Sequence, residues 1–426
     1  MHKKEIRNPW IWVPSLYLAE GLPYVIVMTV SVIMYKRLNI SNTEIALYTS
    51  WLYLPWVIKP LWSPIVDILK TKRFWILLMQ FCIGAGLAGV ALTIKADDFF
   101  KYTLAFFWLI AFSSATHDIA ADGFYMLALD DHQQSWFVGV RNTFYRIAFI
   151  SGQGLFVIFA GQMEESTGDI SFAWLITFLI LAVLFIFFLI YHVFLLPRPS
   201  TDSKRTDVNL SSLLSDFLKT FSEFFRKKQI VLILTFILFY RFGEAQLVKL
   251  ASPFLLDPID AGGLALSTSQ VGFVYGTVGV IALTLGGLLG GFAAAKHGLK
   301  YWLWWMVIAI NLPDLVYIFL SITQTSNFLL INISVAIEQF GYGFGFTAFL
   351  LYLIYISEGN FKTSHYAIAT GFMALGMMLP GMFSGWLQEF IGYKYFFIWV
   401  MISTIPAFII TKFIPLDAKF GIKKAT

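Results

Sequence analysis

The sequence predicts an all-α polytopic membrane protein, twelve transmembrane helices arranged as two six-helix halves. Three observations carry that prediction. Hydrophobic residues make up 58% of the chain and charged residues 13%, with a mean hydropathy of +0.74, whereas an average soluble domain has roughly 25% charged residues. Stretches such as Ala173 to Leu196 lack Lys, Arg, Asp and Glu altogether, and reach the roughly 20 residues with which a helix spans hydrocarbon. These stretches fall into two sets of six, parted by one charged segment.

The basic segment Met1 to Arg7 runs into an apolar stretch from Trp10 to about Tyr35. That stretch is longer than the roughly 7–15 residues of a signal-peptide core, so it reads as an uncleaved first span. Apolar runs broken by charged or turn-rich residues then predict spans over 10–36, 44–69, 74–95, 99–127, 138–162 and 172–196. The second set falls over 229–256, 269–295, 301–322, 326–357, 364–390 and 394–415. The domains expected are an N-terminal bundle, 1–196, a linker, 197–228, and a C-terminal bundle, 229–426.

The linker opens with Pro-Arg-Pro-Ser and carries Lys204, Arg205, Lys219, Arg226, Lys227 and Lys228. Its Leu210, Leu213, Leu214, Phe217, Phe221, Phe224 and Phe225 recur at steps of three and four, which predicts an amphipathic helix lying on a lipid surface with its cations toward anionic headgroups. Lys and Arg collect on cytoplasmic loops. Lys3, Lys4, Arg7, Lys70, Lys72, Arg73, the linker cations, Lys296, Lys300, Lys362, Lys419, Lys423 and Lys424 share one side of the predicted topology, against Lys36, Arg37, Lys95, Lys101 and Lys394 on the other. Both termini are therefore expected in the cytoplasm. The single cysteine, Cys82, lies inside an apolar run, which excludes an intrachain disulfide and a thiol metal cluster.

Ionisable side chains inside a span cost several kcal/mol unless paired or wetted, so their positions point to function. Glu20 falls in span one, His117, Asp118 and Asp122 in span four, Arg241, Glu244 and Lys249 in span seven, and Glu338 in span ten. These are the first helices of four three-helix repeats, the positions expected to line a central cavity. Spans three, six and twelve are read as having no interior acid or base, and span nine breaks the pattern with Asp314. Asp118 and Asp122 share a helix face. Depth along antiparallel span five offers Arg146 to Asp118 and Arg141 to Asp122, pairs that either lock the N-terminal half or exchange a partner for a proton or substrate. Arg241 and Glu244, three apart, are expected to satisfy each other locally. Glu20 and Glu338 have no cation within a turn, and with Glu244 they are the proton-coupling candidates. His117 is read as a hydrogen-bonded packing residue or as a member, with Asp118, Asp122, Arg141, Arg146 and Arg241, of a substrate and charge network. No metal or other cofactor is expected, because no second His or Cys stands at ligand spacing.

Gly341-Tyr-Gly-Phe-Gly345 follows no strand and lies within a span, so it reads as close helix packing or a bend rather than a phosphate loop. Gly371, Gly376, Pro380, Gly381 and Gly385 suggest that span eleven is pliable. Trp302, Trp304 and Trp305 read as interface anchors, whereas Tyr24, Tyr145, Tyr240 and Trp51 are placed to reach the cavity. The halves echo each other: Ser63-Pro-Ile-Val-Asp67-Ile-Leu-Lys70-Thr-Lys72-Arg73 joins spans two and three, and Gly291 to Lys300 joins spans eight and nine. Tandem repeats of this kind accompany alternating access, and Asp67, Lys70, Lys72 and Arg73 are assigned as a gating motif.

Leu61-Trp62-Ser63-Pro64-Ile-Val-Asp67, Ser113-Ser-Ala-Thr-His-Asp118-Ile-Ala-Ala-Asp122-Gly123, Leu18-Ala-Glu20-Gly21-Leu-Pro23 and Arg241-Phe-Gly-Glu244 together make the sequence resemble the AmpG-like muropeptide permeases and related acetyl-coenzyme A transporters of the major facilitator superfamily. The similarity covers most of the chain. Two departures are His117, where that family usually has Gln, and the absence of the extra C-terminal helices that several bacterial permeases carry. The resemblance implies a monomeric major facilitator fold in a bacterial inner membrane, with proton symport and uptake of amino-sugar compounds. Its expected partners are a small-molecule substrate, protons and membrane lipids, and no nucleic acid. The competing readings are a carrier of an acyl-CoA or nucleotide-like anion and a membrane enzyme acting on a lipid-linked or acyl substrate. An enzyme would gather its acids, His or Ser at one membrane face, whereas here loops are short and charges sit mid-span, so catalysis is not expected.

Overall fold

A computed structural model describes residues 7–200, 202, 210–359, 361–418 and 420, with the backbone alone for Asp67, Ile68, Asp131 and residues 210–217. Lys3, Lys4, Lys204, Arg205, Lys419, Lys423 and Lys424, and the side chain of Asp67, lie outside the described residues. Every regular element among the described residues is a helix. Spans one and three to six are Pro9–Arg37, Lys72–Thr93, Phe99–Ala128, His132–Thr167 and Ile170–Leu195, and spans seven to ten are Ile230–Leu256, Thr268–His297, Leu299–Thr323 and Phe328–Ile356. Span two is a pair of helices, Asn42–Trp51 and Leu54–Leu69, the latter holding Pro60 and Pro64. Spans eleven and twelve share the helical stretch Lys362–Thr411, which Gly392 divides at φ 77° and ψ 162°, a conformation only glycine enters readily.

Side-chain caps start the helices where the chain turns. Ser41, Thr71, Asp130, Asp169, Ser267 and Asn327 each accept a hydrogen bond from a backbone N–H in the first turn that follows. Span six shows how a helix apolar on all sides is used. Trp174, Phe178, Leu181 and Phe185 are fully buried, while Val183, Phe187 and Phe194 stand more than half exposed, one stripe for protein and one for lipid.

Two compact units result, Met1–Leu38 with Ile58–Leu213, and Asn39–Val57 with Leu214–Thr426. This outline departs from the expected halves at Asn39–Val57, which packs with the second unit. Glycines of span eleven seat that segment: a Cβ on Gly385 would stand 1.9 Å from the Asn42 carbonyl oxygen, and one on Gly381 2.7 Å from Ser50 Oγ. Asn42 Nδ2 donates to Gln388 Oε1 at 2.7 Å and to Tyr393 Oη at 2.9 Å, and Tyr393 donates to Asp257 Oδ2 at 2.6 Å. Around Pro380 span eleven keeps helical dihedrals until Gly392, so these glycines act through close approach.

The linker helix forms as Leu210–Phe225. Its end is not free on a surface: Phe224 is fully buried against His365 and Phe372. Beyond it, Lys227 Nζ donates to the carbonyls of Ile356 at 2.7 Å and Glu358 at 3.2 Å, completing the C-terminus of span ten.

The Gly341–Gly345 run is a packing device. A Cβ on Gly343 would lie 2.0 Å from the Leu283 carbonyl oxygen of span eight, and those on Gly341 and Gly345 2.1 and 2.4 Å from the Ala309 and Met306 oxygens of span nine. Backbone cannot retreat as a side-chain tip can. Gly343→Ala should therefore lower stability by about 1–3 kcal/mol, the usual cost of overpacking. Gly291→Ala, whose Cβ would meet nothing within 4 Å, should be neutral, and thermal unfolding in detergent compares the two.

Candidate functional site

In the first unit, acids and bases meet among spans one, two, four and five. Gly21 allows the approach, since a Cβ there would stand 2.7 Å from the Ala148 Cβ of span five. That leaves the neighbouring Glu20, only 7% exposed, beside span four. Glu20 and Asp118 are within hydrogen-bonding reach of each other, and Asp118 forms an ion pair with Lys59. One turn along, Asp122 receives Arg141 at 3.1 Å and the Tyr17 hydroxyl at 3.1 Å. The Arg141 guanidinium also lies 4.7 Å from the Tyr17 ring and 5.2 Å from that of Tyr125, a cation–π arrangement that suits a partly desolvated arginine.

The expected partner of Asp118, Arg146, forms no ion pair within 4 Å among the described residues; Lys59 of span two takes its place. Depth alone could not choose between spans two and five. A signal was nevertheless present, since Lys59 is a lone cation between Trp56 and Trp62 inside an apolar run.

Behind this group, His117 is buried in a polar cluster. Gln80 Nε2 lies 3.1 Å from His117 Nε2 and 2.8 Å from His192 Nδ1, and His192 Nε2 lies 3.0 Å from Ser15 Oγ, which donates to the Trp12 carbonyl. His192 has no exposed surface, so span six does carry an interior base. Of the residues read from sequence as a gating motif, Lys72 and Arg73 open span three, where the linker's Asp202 accepts hydrogen bonds from their N–H groups at 2.7 Å and 3.0 Å. Lys72 is itself buried, its Cε 2.7 Å from where a Gly123 Cβ would stand, while Lys70 is exposed over the Phe74 ring.

In the second unit, span seven breaks at Arg241, which has φ −115° and ψ 24°. The local Arg241–Glu244 pair does not close. The guanidinium turns to the rings of Tyr342 and Phe346, at 5.0 and 4.6 Å, and hydrogen-bonds the Tyr342 hydroxyl. Glu244, 1% exposed, instead converges with Asp314 and Glu338, one carboxylate oxygen from each lying within 4.8 Å of the others. Asp314 sits in a 3-10 turn, Leu312–Asp314, where Pro313 interrupts span nine. Glu338 accepts from Gln339 Nε2 at 3.0 Å and from the Tyr317 hydroxyl at 3.4 Å. Lys249, 1% exposed, donates to Thr49 Oγ1 at 3.0 Å and lies 5.2 Å from the Tyr53 ring. Tyr240, read from sequence as a cavity residue, is fully buried and donates to the Gly345 carbonyl.

Removing one member of a partly buried ion pair strands the other. Lys59→Met should destabilise the protein by about 1–3 kcal/mol, and Lys59→Met with Asp118→Asn should recover most of that loss. Thermal unfolding of the four-membered cycle measures it, and a double variant no more stable than Lys59→Met would refute the pairing.

Comparison with known proteins agrees with this architecture. The sequence is 25% identical over 413 residues to the Putative transporter AmpG 4 of Rickettsia conorii, covering 94% of each chain. It is 25% identical over 360 residues to the Anhydromuropeptide permease of Escherichia coli, covering 83% of this chain and 69% of that one. The fold matches that of the nucleoside transporter NupG with a TM-score of 0.71 at 16% identity, covering 95% and 99% of the two chains. A D-xylose-proton symporter gives 0.71 at 13% identity, covering 95% and 97%. Residues 15–358 match the Major Facilitator Superfamily, and with twelve spans around buried intramembrane charges this chain belongs to that superfamily of transporters.

Proposed function

We propose that the protein is a proton-coupled importer of a muropeptide, amino sugar or small oligosaccharide, set in a bacterial inner membrane with both termini in the cytoplasm. The substrate class rests on the similarity to the anhydromuropeptide permease. Coupling rests on one observation, the charge count around Glu20. Three carboxyl groups, Glu20, Asp118 and Asp122, interact there with two cations, Lys59 and Arg141. In a low-dielectric interior an uncompensated charge costs several kcal/mol, so the group is neutral when it holds one proton. Glu20 takes that proton and donates to Asp118, which Lys59 holds as the anion.

Loading substrate beside a protonated Glu20 and releasing the proton toward the more alkaline cytoplasm converts the proton gradient into accumulation. Glu244 and Glu338 are the other carriers to be tested, and Arg241 and Arg146 complete the polar residues available to substrate, with His117 buried behind the Glu20 group. An anionic acyl-CoA or nucleotide-like solute would need unpaired cations in the site. Lys59 and Arg141 are each engaged by a carboxylate, which leaves Arg146 as the cation of the first unit that such a solute would meet.

Purified protein in proteoliposomes, given an inward proton gradient and labelled anhydromuropeptide or N-acetylglucosamine, should accumulate substrate. Glu20→Gln should abolish accumulation while exchange across the membrane persists. If Glu20→Gln, Glu244→Gln and Glu338→Gln all accumulate as the parent does, or if collapsing the gradient has no effect, protons do not drive transport.

Orientation has its own test. In a Cys82→Ser background, Lys228→Cys should react with an impermeant maleimide only from the cytoplasmic side, and Lys101→Cys only from the other. Labelling of both from one side would refute the orientation.

A further inference from the structure

Glu244, Asp314 and Glu338 come from spans seven, nine and ten, yet their carboxylates converge to within 4.8 Å. Two facts about them point to a ligand. First, both oxygens of Glu244 and both oxygens of Asp314 are buried without a hydrogen-bond partner, each residue being 1% exposed; four such acceptors carry a large desolvation cost unless something positive sits among them. Secondly, Glu338 is held by donors, Gln339 to both its oxygens and Tyr317 to one, which fixes its carboxylate beside the other two. The acids act on one another through space, with no hydrogen bond joining them.

Charge and geometry then choose the occupant. With all three acids ionised, and Arg241 the cation acting on Glu244, the group carries two uncompensated negative charges. A divalent ion cancels them. All-oxygen donors select a hard cation over zinc or copper. Three oxygens within 4.8 Å of one another can share one hard cation, and a buried set of three protein carboxylates suits calcium, which takes flexible all-oxygen shells, better than magnesium, which keeps its waters and is held by one or two carboxylates. The break in span nine also fits, since it frees Asp314 from the regular helix face, and interrupted spans are where membrane carriers hold ions.

We infer that Glu244, Asp314 and Glu338 form a binding site for one calcium-sized divalent cation inside the second unit. The site is separate from the proton on Glu20. If occupied, it makes Glu20 the proton carrier and gives Glu244 and Glu338 another role.

The test is equilibrium binding of 45Ca2+ to the purified full-length protein in detergent at pH 8, with 22Na+ in parallel. The parent should bind one calcium per chain, and calcium should raise its thermal midpoint. Asp314→Asn and Glu338→Gln should each weaken binding by more than the roughly 10- to 100-fold typical of losing an outer-shell partner, with folding checked by gel filtration. Asp98→Asn, which alters an exposed acid paired with Lys101, should bind as the parent does. Calcium binding that is absent from the parent, or equal in parent and Asp314→Asn, overturns the site, and binding of sodium but not calcium overturns the divalent assignment. The readout needs no transport, so it stands or falls apart from proton coupling.

Discussion

The high cost of an isolated ion in hydrocarbon organises this protein. A charge held within a span is costly unless something at contact distance offsets it, and where such pairs form the helices are shaped to allow the contact. Lys59 reaches Asp118 and Arg141 reaches Asp122 across helices. Gly21, Gly341 and Gly343 remove side chains at the points where those helices press together, and Pro313 and Arg241 mark the places where a span gives up its regular path.

The two units meet this constraint differently. In the first, acids and bases nearly balance, three carboxyl groups to two cations. In the second, acids outnumber the nearby cation, and Arg241 lies largely against aromatic faces. A site with a small imbalance changes charge state at low cost, whereas one with a large imbalance favours a constant occupant. That contrast is the physical basis for the separate roles proposed for the two groups.

The span count and the list of intramembrane acids were legible in the sequence, because lipid allows only long apolar helices and tolerates few charges. Span six was predicted over 172–196 and observed over Ile170–Leu195. Which acid meets which base was less legible. Asp122 and Arg141 share depth on neighbouring antiparallel helices, and local reasoning reached them. Lys59 pairs with Asp118 from a helix distant in sequence, and Glu244 left its neighbour three residues away for acids 70 and 94 positions on. Such partners follow from tertiary packing, which periodicity does not encode. The glycines of span eleven show the same limit, since bare backbone can serve bending or contact, and only the neighbour at Asn42 decides which.

The buried amide of Gln80 has a consequence for how the first unit holds together. Its Nε2 and Oε1 lie 2.8 and 3.0 Å from His192 Nδ1, and its Nε2 lies 3.1 Å from His117 Nε2. His192 Nε2 in turn meets Ser15 Oγ at 3.0 Å. One side chain of span three thereby ties spans one, four and six together by polar contacts, at a depth where hydrocarbon offers no water to replace them. Gln80 is a keystone in that sense, since its loss would strand two buried imidazoles at once.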